Sequence, residues 1–343
     1  MCIRDRYNLQ GWEDEIYEQR MKISPRLGIS YPVTDRSKLF FSYGHFYQLP
    51  GYDHFYEMPT QASAAGRLLG NPNLDYEKTV AYELGVAYAP KDVLTLTFSG
   101  YYKDIYNLLN TSRHRLGLTS PITQDVYKNL DYARSRGLEL QVDKHYANYW
   151  TLSLNYQYSY AYGKSSSNRS GYDALFEESA IPLRDLPLDW DVRHRVNLVL
   201  DLRARRGDHP TLFGLKLPDD WGINLLWQWH SGFPYTPDTK NPWVPKGMGQ
   251  KGWELTNYLR MPKYSRIDLK INKNFTIYDF DLGLFVQIDN ILNRRNVLEV
   301  SSETGLPNDS TIEDGWGNGT DHDQNPEHWS RGRVIDIGFE VNF

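Results

Sequence analysis

Several stretches of this sequence gather side chains capable of chemistry. Residues 314–330, DGWGNGTDHDQNPEHWS, collect Asp314, Asp321, His322, Asp323 and His328. Oxygen ligands at such spacing suit Ca²⁺, but the regular Asp-x-Asp-x-Asp-Gly run and terminal Glu of a helix-loop-helix calcium site are missing. A solvated acidic loop is therefore the stronger reading; no metal is expected, and Asp314, Asp321 and Asp323 stand as weak calcium candidates. Gly315, Gly317 and Gly319 have no strand-to-helix context and do not make a phosphate loop. In PLDWDVRH (187–194), Asp189, Asp191 and His194 are the groups of a hydrolase. Two carboxylates just before a strand more often build a turn or a pore mouth, so no catalytic residue is expected.

Residues 47–56, YQLPGYDHFY, cluster Tyr47, Tyr52, Phe55 and Tyr56 around Asp53 and His54, and Trp243 and Trp253 add rings to a second segment. Rings beside polar groups stack on sugars, peptides or aromatic chelates. The competing reading is an interfacial girdle or loop packing. Arg193 and Arg195 flank His194, and Arg294 is followed by Arg295; either pair can attract an anion, although solvated rim charge is the default.

The elements that position these residues follow from composition and pattern. Of 343 residues, 14% are aromatic, and the net charge is -5. No run approaches the ~18 apolar residues of a spanning helix. The acidic balance argues against nucleic acid as a partner. The single cysteine, Cys2, excludes an internal disulfide and cysteine-pair zinc sites. No other cofactor is implied.

Alternation with a period of two dominates. In residues 150–162, Trp150, Leu152, Leu154, Tyr156, Tyr158, Tyr160 and Tyr162 alternate with small and polar residues. Residues 221–230, 266–272 and 335–343 repeat the pattern, and weaker versions cover 23–31, 37–47, 79–88, 93–106, 127–143, 194–202 and 280–290. That predicts about eleven strands, each near the ~9–11 residues that cross a bilayer at a tilt. Short turns at 32–36, 89–92, 144–149 and 276–279 alternate with long links at 48–78, 107–126, 163–193, 232–263 and 291–333; only 203–220 breaks the rule. Short turns at one end and long loops at the other mark a membrane barrel. Charges within the polar face, at Glu139, Asp201, Asp268, Lys270 and Glu340, suit a watery lumen, while Tyr and Trp on the opposite face suit lipid headgroups. The predicted fold is all-β, a transmembrane antiparallel up-and-down barrel.

Several segments resemble the C-terminal barrel of TonB-dependent outer-membrane receptors. SPRLGISYPVTDRSKLFFSYGHFYQLP (24–50) looks like paired strands around a periplasmic turn. GNPNLDYEKTVAYELGVAY (70–88) is similar to the family's Asn-Pro-Asn-Leu loop and Tyr-Glu-Leu-Gly strand, with Asp75-Tyr76-Glu77 where Lys-Pro-Glu is usual. RSRGLELQVD, DVRHRVNLVL, SGFPYTP, RIDLKINKNF, QIDNILNRRNV and a terminal GFEVNF follow in the family's order. The resemblance spans nearly all of residues 20–343.

The resemblance implies a 22-stranded barrel enclosing an N-terminal plug, of which eleven or twelve strands are about half. Residues 20–343 are then expected to be the C-terminal part of that barrel. Residues 1–19 are read as a fragment's start with a partial strand; MCIRDR (1–6) lacks an apolar signal core and resembles translated adaptor sequence. The family implies uptake of a scarce solute, such as a ferric chelate, oligosaccharide or peptide, with TonB-derived energy acting through the missing plug. It also implies residence in the outer membrane, contact with its lipid, and the barrel-assembly machinery as a partner of the strand ending at Phe343. Solute contact is assigned to Tyr47, Tyr52, His54, Phe55, Tyr56, Trp243 and Trp253. A passive porin-like channel of about twelve strands is the alternative, and a barrel hydrolase a more distant one.

Overall fold

The computed structural model describes residues 21–57, 68–115, 123–172, 184–249, 252–278, 280–308 and 325–342. Eleven long strands run in chain order: β1 (Arg26–Thr34), β2 (Ser37–Gln48), β3 (Glu77–Lys91), β4 (Leu94–Arg115), β5 (Thr123–Ala147), β6 (Trp150–Gly163), β7 (His194–Ala204), β8 (Trp221–His230), β9 (Tyr264–Ile277), β10 (Phe280–Asp289) and β11 (Val334–Asn342). Each pairs antiparallel with the next, forming one meander. Among the described residues β1 pairs only with β2 and β11 only with β10, so both edges stand open and the sheet is a partial barrel.

Cross-strand register turns the sequence alternation into two continuous faces. Leu96, Val142, Leu154, Leu198, Trp227 and Ile267 lie in line across six strands. One residue further along each strand, Thr97, Gln141, Asn155, Asn197, Gln228 and Arg266 form the matching row on the other side. Successive side chains on a strand point to opposite faces, so an aliphatic wall backs onto a hydrogen-bonding wall. Large apolar side chains such as Phe98 and Leu84 are about half exposed, which suits lipid and not water.

The tight turns fall where the sequence pattern places short links. At 148–149, Asn148 and Tyr149 both have positive φ, 54° and 70°, the signature of a two-residue type I′ hairpin whose twist matches the flanking strands. The link after β7 carries a small hairpin of its own, Thr211–Leu212 with Leu215–Lys216.

Several strands run a few residues beyond their predicted bounds, and one boundary differs widely. The pattern predicts a loop over residues 107–126, yet β4 and β5 pair on to Arg115 and Thr123. A bulge between Ile105 and Leu108, with Asn107 at φ 60°, separates this extension from the spanning part. Beyond the bulge, backbone pairing continues without a lipid-facing side, so the period-two signal is lost although the ladder persists.

Among the described residues, buried apolar side chains are few and most sit at the loop end. Leu68, Leu74, Leu109 and Tyr127 form one cluster, against which Phe55 and Tyr172 pack; Ala133, Ala161 and Leu188 form another.

Candidate functional site

The described parts of the long links are tied to one another and to the strand ends, and most of the predicted site residues lie in them. Residues 52–56 form a single helical turn, α1 (Tyr52–Tyr56). The amide of Gly70 donates to the Glu57 carbonyl, and that of Asn71 to the His54 carbonyl, both at 2.9 Å, tying α1 to the far end of its own loop. The Asn71 carboxamide donates to the Tyr127 carbonyl at 2.8 Å, and the Tyr127 hydroxyl donates to Glu57 at 2.9 Å. Burial and the Glu57 carboxylate raise the Tyr127 hydroxyl far above its ordinary range.

These bonds divide the aromatic cluster into two groups. His54 stacks on Tyr127 with ring centres 4.7 Å apart and accepts from Asn168 at Nε2, while Asp53 lies 3.0 Å from its Nδ1. Phe55 packs on the buried leucines. His54 and Phe55 are thus engaged inside the loop, whereas Tyr52 and Tyr56 are 72% and 56% exposed. Tyr47 ends β2 half-buried, with the Lys78 ammonium 5.9 Å from its ring centre.

Trp243 and Trp253 also separate. Trp243 is 69% exposed, on a segment held by the buried Asn241. The Asn241 carboxamide donates to the Ser302 carbonyl at 2.9 Å, Asp238 donates its amide to the same carbonyl, and Lys240 pairs with Glu303 at 3.1 Å. Two long loops are thereby joined. Glu303 raises the Lys240 ammonium above its usual value, and burial raises the Tyr235 hydroxyl beside them. Trp253 sits in a 3-10 turn (Gly252–Leu255) with the Arg184 guanidinium 4.9 Å from its ring centre.

Asp189, Asp191 and His194 each take a different partner. Asp189 accepts from Asn257 at 2.7 Å. The wholly buried Asp191 carboxylate pairs with Arg193 at 3.1 Å and with Arg260, and accepts the Ala161 amide at 2.8 Å. The His194 Nδ1 meets the Tyr156 hydroxyl at 2.9 Å on the apolar face. A proton relay needs base and orienting acid in contact, so this arrangement reads as architecture. Arg195 lies on the polar face and lines a groove with Glu83, Glu139, Gln141, Asn155 and Gln157. Arg294 donates to the Lys263 carbonyl at 3.0 Å, while Arg295 is exposed. Asp314, Asp321, His322, Asp323, Gly315, Gly317, Gly319 and Phe343 lie outside the described residues. His328 is engaged in the loop layer, its Nδ1 meeting the Pro307 carbonyl at 2.8 Å.

Sequence reading missed the carboxamides that carry this layer. Asn296 accepts the Ser265 amide at 2.8 Å and donates to the Ser265 carbonyl at 3.0 Å, imitating a ladder step with a side chain. Asn290 donates to the carbonyls of Arg294 and Arg331. The signal was present in NPNL, KNPW and NILNRRN, where asparagines recur among turn residues.

The family model described as "TonB dependent receptor-like, beta-barrel" matches residues 4–291. A search of curated protein sequences finds no match. Among solved structures, the siderophore receptor PirA from Acinetobacter baumannii aligns at TM-score 0.55 and 14% identity, over 93% of this chain and 40% of that one. A point mutant of the ferric enterobactin receptor PfeA from Pseudomonas aeruginosa aligns at 0.54 and 18%, over 93% and 39%. The outer membrane transporter YddB from Escherichia coli aligns at 0.56 and 11%, over 80% and 38%. The chain therefore spans about two fifths of each of these proteins. Matching strand meander, two-faced register and a family model over most of its length, this chain belongs to the TonB-dependent receptor β-barrel family, whose members are outer-membrane proteins.

Proposed function

We propose that this chain is part of the barrel of an outer-membrane receptor that takes up a scarce solute, such as a ferric chelate, an oligosaccharide or a peptide, with TonB-derived energy in the full-length protein. The observation that carries the proposal is the pairing of a hydrogen-bonding inner wall with a tied-down loop layer. The inner wall, from Thr97 through Gln141, Asn155, Asn197 and Gln228 to Arg266, offers polar groups to a plug and to a passing hydrophilic solute. The loop layer presents Tyr52, Tyr56 and Trp243 as exposed rings on supported backbone, the arrangement needed to stack on a planar or sugar-like ligand. His54 and Phe55 hold the first loop in shape, and Tyr47 and Trp253 are assigned to the same solute contact. The role is transport and not catalysis. Residues 20–343 form the C-terminal part of the barrel, energy coupling comes from a plug contributed by other sequence, and the strand toward Phe343 is the segment offered to the assembly machinery.

The test is accumulation of labelled ferric chelates, oligosaccharides and peptides by cells carrying the full-length gene. One class should accumulate, accumulation should cease when the proton gradient is collapsed, and surface binding should persist. Steady open conductance of the purified full-length protein in a planar bilayer would instead establish a passive channel and overturn the reading.

A further inference from the structure

We propose that the link between β7 and β8, the one at the turn end that is too long to be a turn, is a hairpin whose tip, Phe213 with Leu215, inserts into the phospholipid headgroup layer on that side of the membrane. The inference rests on the reading of the chain as an outer-membrane barrel and adds to it a contact made outside the sheet. The hairpin pairs Thr211 with Lys216 and Leu212 with Leu215 around Phe213 and Gly214. With φ at 50° and 82°, these two make a type I′ turn, whose first position favours Asn, Asp or Gly. Phe213 is 96% exposed and Leu215 72%, so packing within the chain does not offset a bulky side chain on left-handed backbone. Among the described residues nine non-glycine residues have positive φ. Six are Asn or Asp, and the other three are Tyr149, Phe213 and Tyr278. All three rings stand in links at the turn end, and Tyr278 is 93% exposed. Turn chemistry alone would place asparagine there, as it does at Asn148; the rings answer to something outside the chain.

Two side chains of the lipid-facing wall fix the base of the hairpin. Trp221 and Lys273 are cross-strand partners, an even number of residues from the Trp227 and Ile267 pair, and so share its apolar face. The Trp221 indole donates to the Pro218 carbonyl at 3.0 Å. The Lys273 ammonium donates to the Asp219 carbonyl and lies 3.6 Å from the Asp219 carboxylate. The arm returning from the tip therefore joins the sheet on its lipid side. The Gly207 amide donates to the Asp219 carboxylate at 2.7 Å, and the Leu217 amide to the Pro210 carbonyl at 2.9 Å, which stiffens both arms.

Reach and charge agree with this placement. Beyond the bond between Leu217 and Pro210 each arm has three residues, roughly 10 Å at ~3.3 Å per residue, enough to cross a headgroup layer of about 5–8 Å. From Thr211 to Leu217 the only ionisable side chain is Lys216, which is exposed and suited to anionic headgroups. Continuity with the lipid-facing wall, together with an apolar tip beside a single cation, selects a phospholipid surface over a soluble protein.

The experiment uses the full-length protein, its native cysteines replaced by serine, in vesicles of phosphatidylethanolamine and phosphatidylglycerol. A fluorophore is attached at Leu215→Cys, at Asp35→Cys in the exposed turn 35–36 of the same end, or at Leu140→Cys on the lipid-facing wall. Quenching by nitroxide-bearing lipid is compared with quenching by aqueous iodide. The ratio of lipid to aqueous quenching should be at least about fivefold higher at 215 than at 35. Phe213→Asn should lower the ratio at 215 by about half or more, and Phe213→Trp should retain it. Equal ratios at 215 and 35, or an unchanged ratio in Phe213→Asn, would overturn the insertion. Shielding from iodide that arises only on adding a periplasmic extract would assign the tip to a soluble protein and overturn it equally. Loss of lipid quenching at 140 as well would refute the barrel reading itself, which keeps the two failures apart.

Discussion

Asp191 gives the sharpest test of how the loop layer is held to the sheet. Its carboxylate is fully removed from solvent, while the side chains of Arg193 and Arg260 are 18% and 29% exposed. Arg260 also donates to the Asp191 carbonyl at 2.6 Å and the Gly232 carbonyl at 3.3 Å, so one guanidinium ties the β6–β7 link to the segment after β8. Removing one partner of a buried pair costs about 3–5 kcal/mol, because the remaining charge is left unpaired. Here water reaches part of each arginine, so Asp191→Asn should cost less, about 2–4 kcal/mol. Asp191→Ala should also free the Ala161 amide, whose acceptor is the same carboxylate. Urea unfolding of the full-length protein in lipid vesicles, with Arg260→Met and the double variant, gives the coupling directly; about 2 kcal/mol is expected. Hydrogen exchange at Ala161 provides a local readout. A cost below about 0.5 kcal/mol, or strictly additive single variants, would show that the pair does not hold the loop and refute the reasoning.

Four further outcomes follow from the geometry. Leu140→Arg and Gln141→Arg place the same charge on neighbouring residues of opposite faces; the first should cost about 2–4 kcal/mol in vesicles and the second little, and equal costs would contradict the face assignment. Gly232→Ala should abolish folding yield on a heat-modifiability gel, since an added Cβ would stand 1.6 Å from the Met261 carbonyl oxygen. Tyr127→Phe removes the bond to Glu57 and should speed amide exchange at Gly70 and Asn71, at a cost of about 1–2 kcal/mol; unchanged exchange there would remove Tyr127 from the loop's support. Lys240 has a folded pKa raised above 10.5 by Glu303, so its contribution is complete below that value and is lost as pH rises through the raised one. Trp243 fluorescence should therefore stay constant from neutral pH to about 9 and shift only in the alkaline range; a transition near neutrality would assign the loop junction to another group.

The strands were legible because lipid and water impose opposite demands on alternate residues. Every segment from Trp150 to Tyr162 or from Trp221 to His230 carries that demand on its surface, and the eleven long strands appear where the alternation placed them. The extension of β4 and β5 was not legible, because residues 108–115 and 123–131 pair beyond the bulge where no lipid enforces a period. The aromatic loop was legible as a cluster and ambiguous as a site. Nothing in YQLPGYDHFY distinguishes Tyr52, which faces solvent, from Phe55, which faces Leu68 and Leu74; the difference depends on Tyr127, seventy-odd residues away in sequence.

The residues that first looked chemical share one physical reason for being there. A two-faced sheet with lipid on one side and a polar lumen on the other has no thick apolar core on which to seat its loops, and its buried apolar clusters are small. The loop backbone must then be satisfied by side chains, since a buried amide or carbonyl without a partner costs about 1–3 kcal/mol. Short carboxamides and carboxylates do this with the least conformational freedom to lose. Asn71, Asn241, Asn257, Asn290, Asn296 and Asp191 are all buried and all bonded to backbone. Asp191 and Asp189 sit where a hydrolase would keep its acids because a pore mouth built from long links needs the same groups for anchorage. On the proposed function, what remains for recognition is the set of rings that this anchorage leaves outside: Tyr52, Tyr56 and Trp243 are exposed on backbone that other side chains have fixed, so a solute meeting them would lose little to ordering the loops.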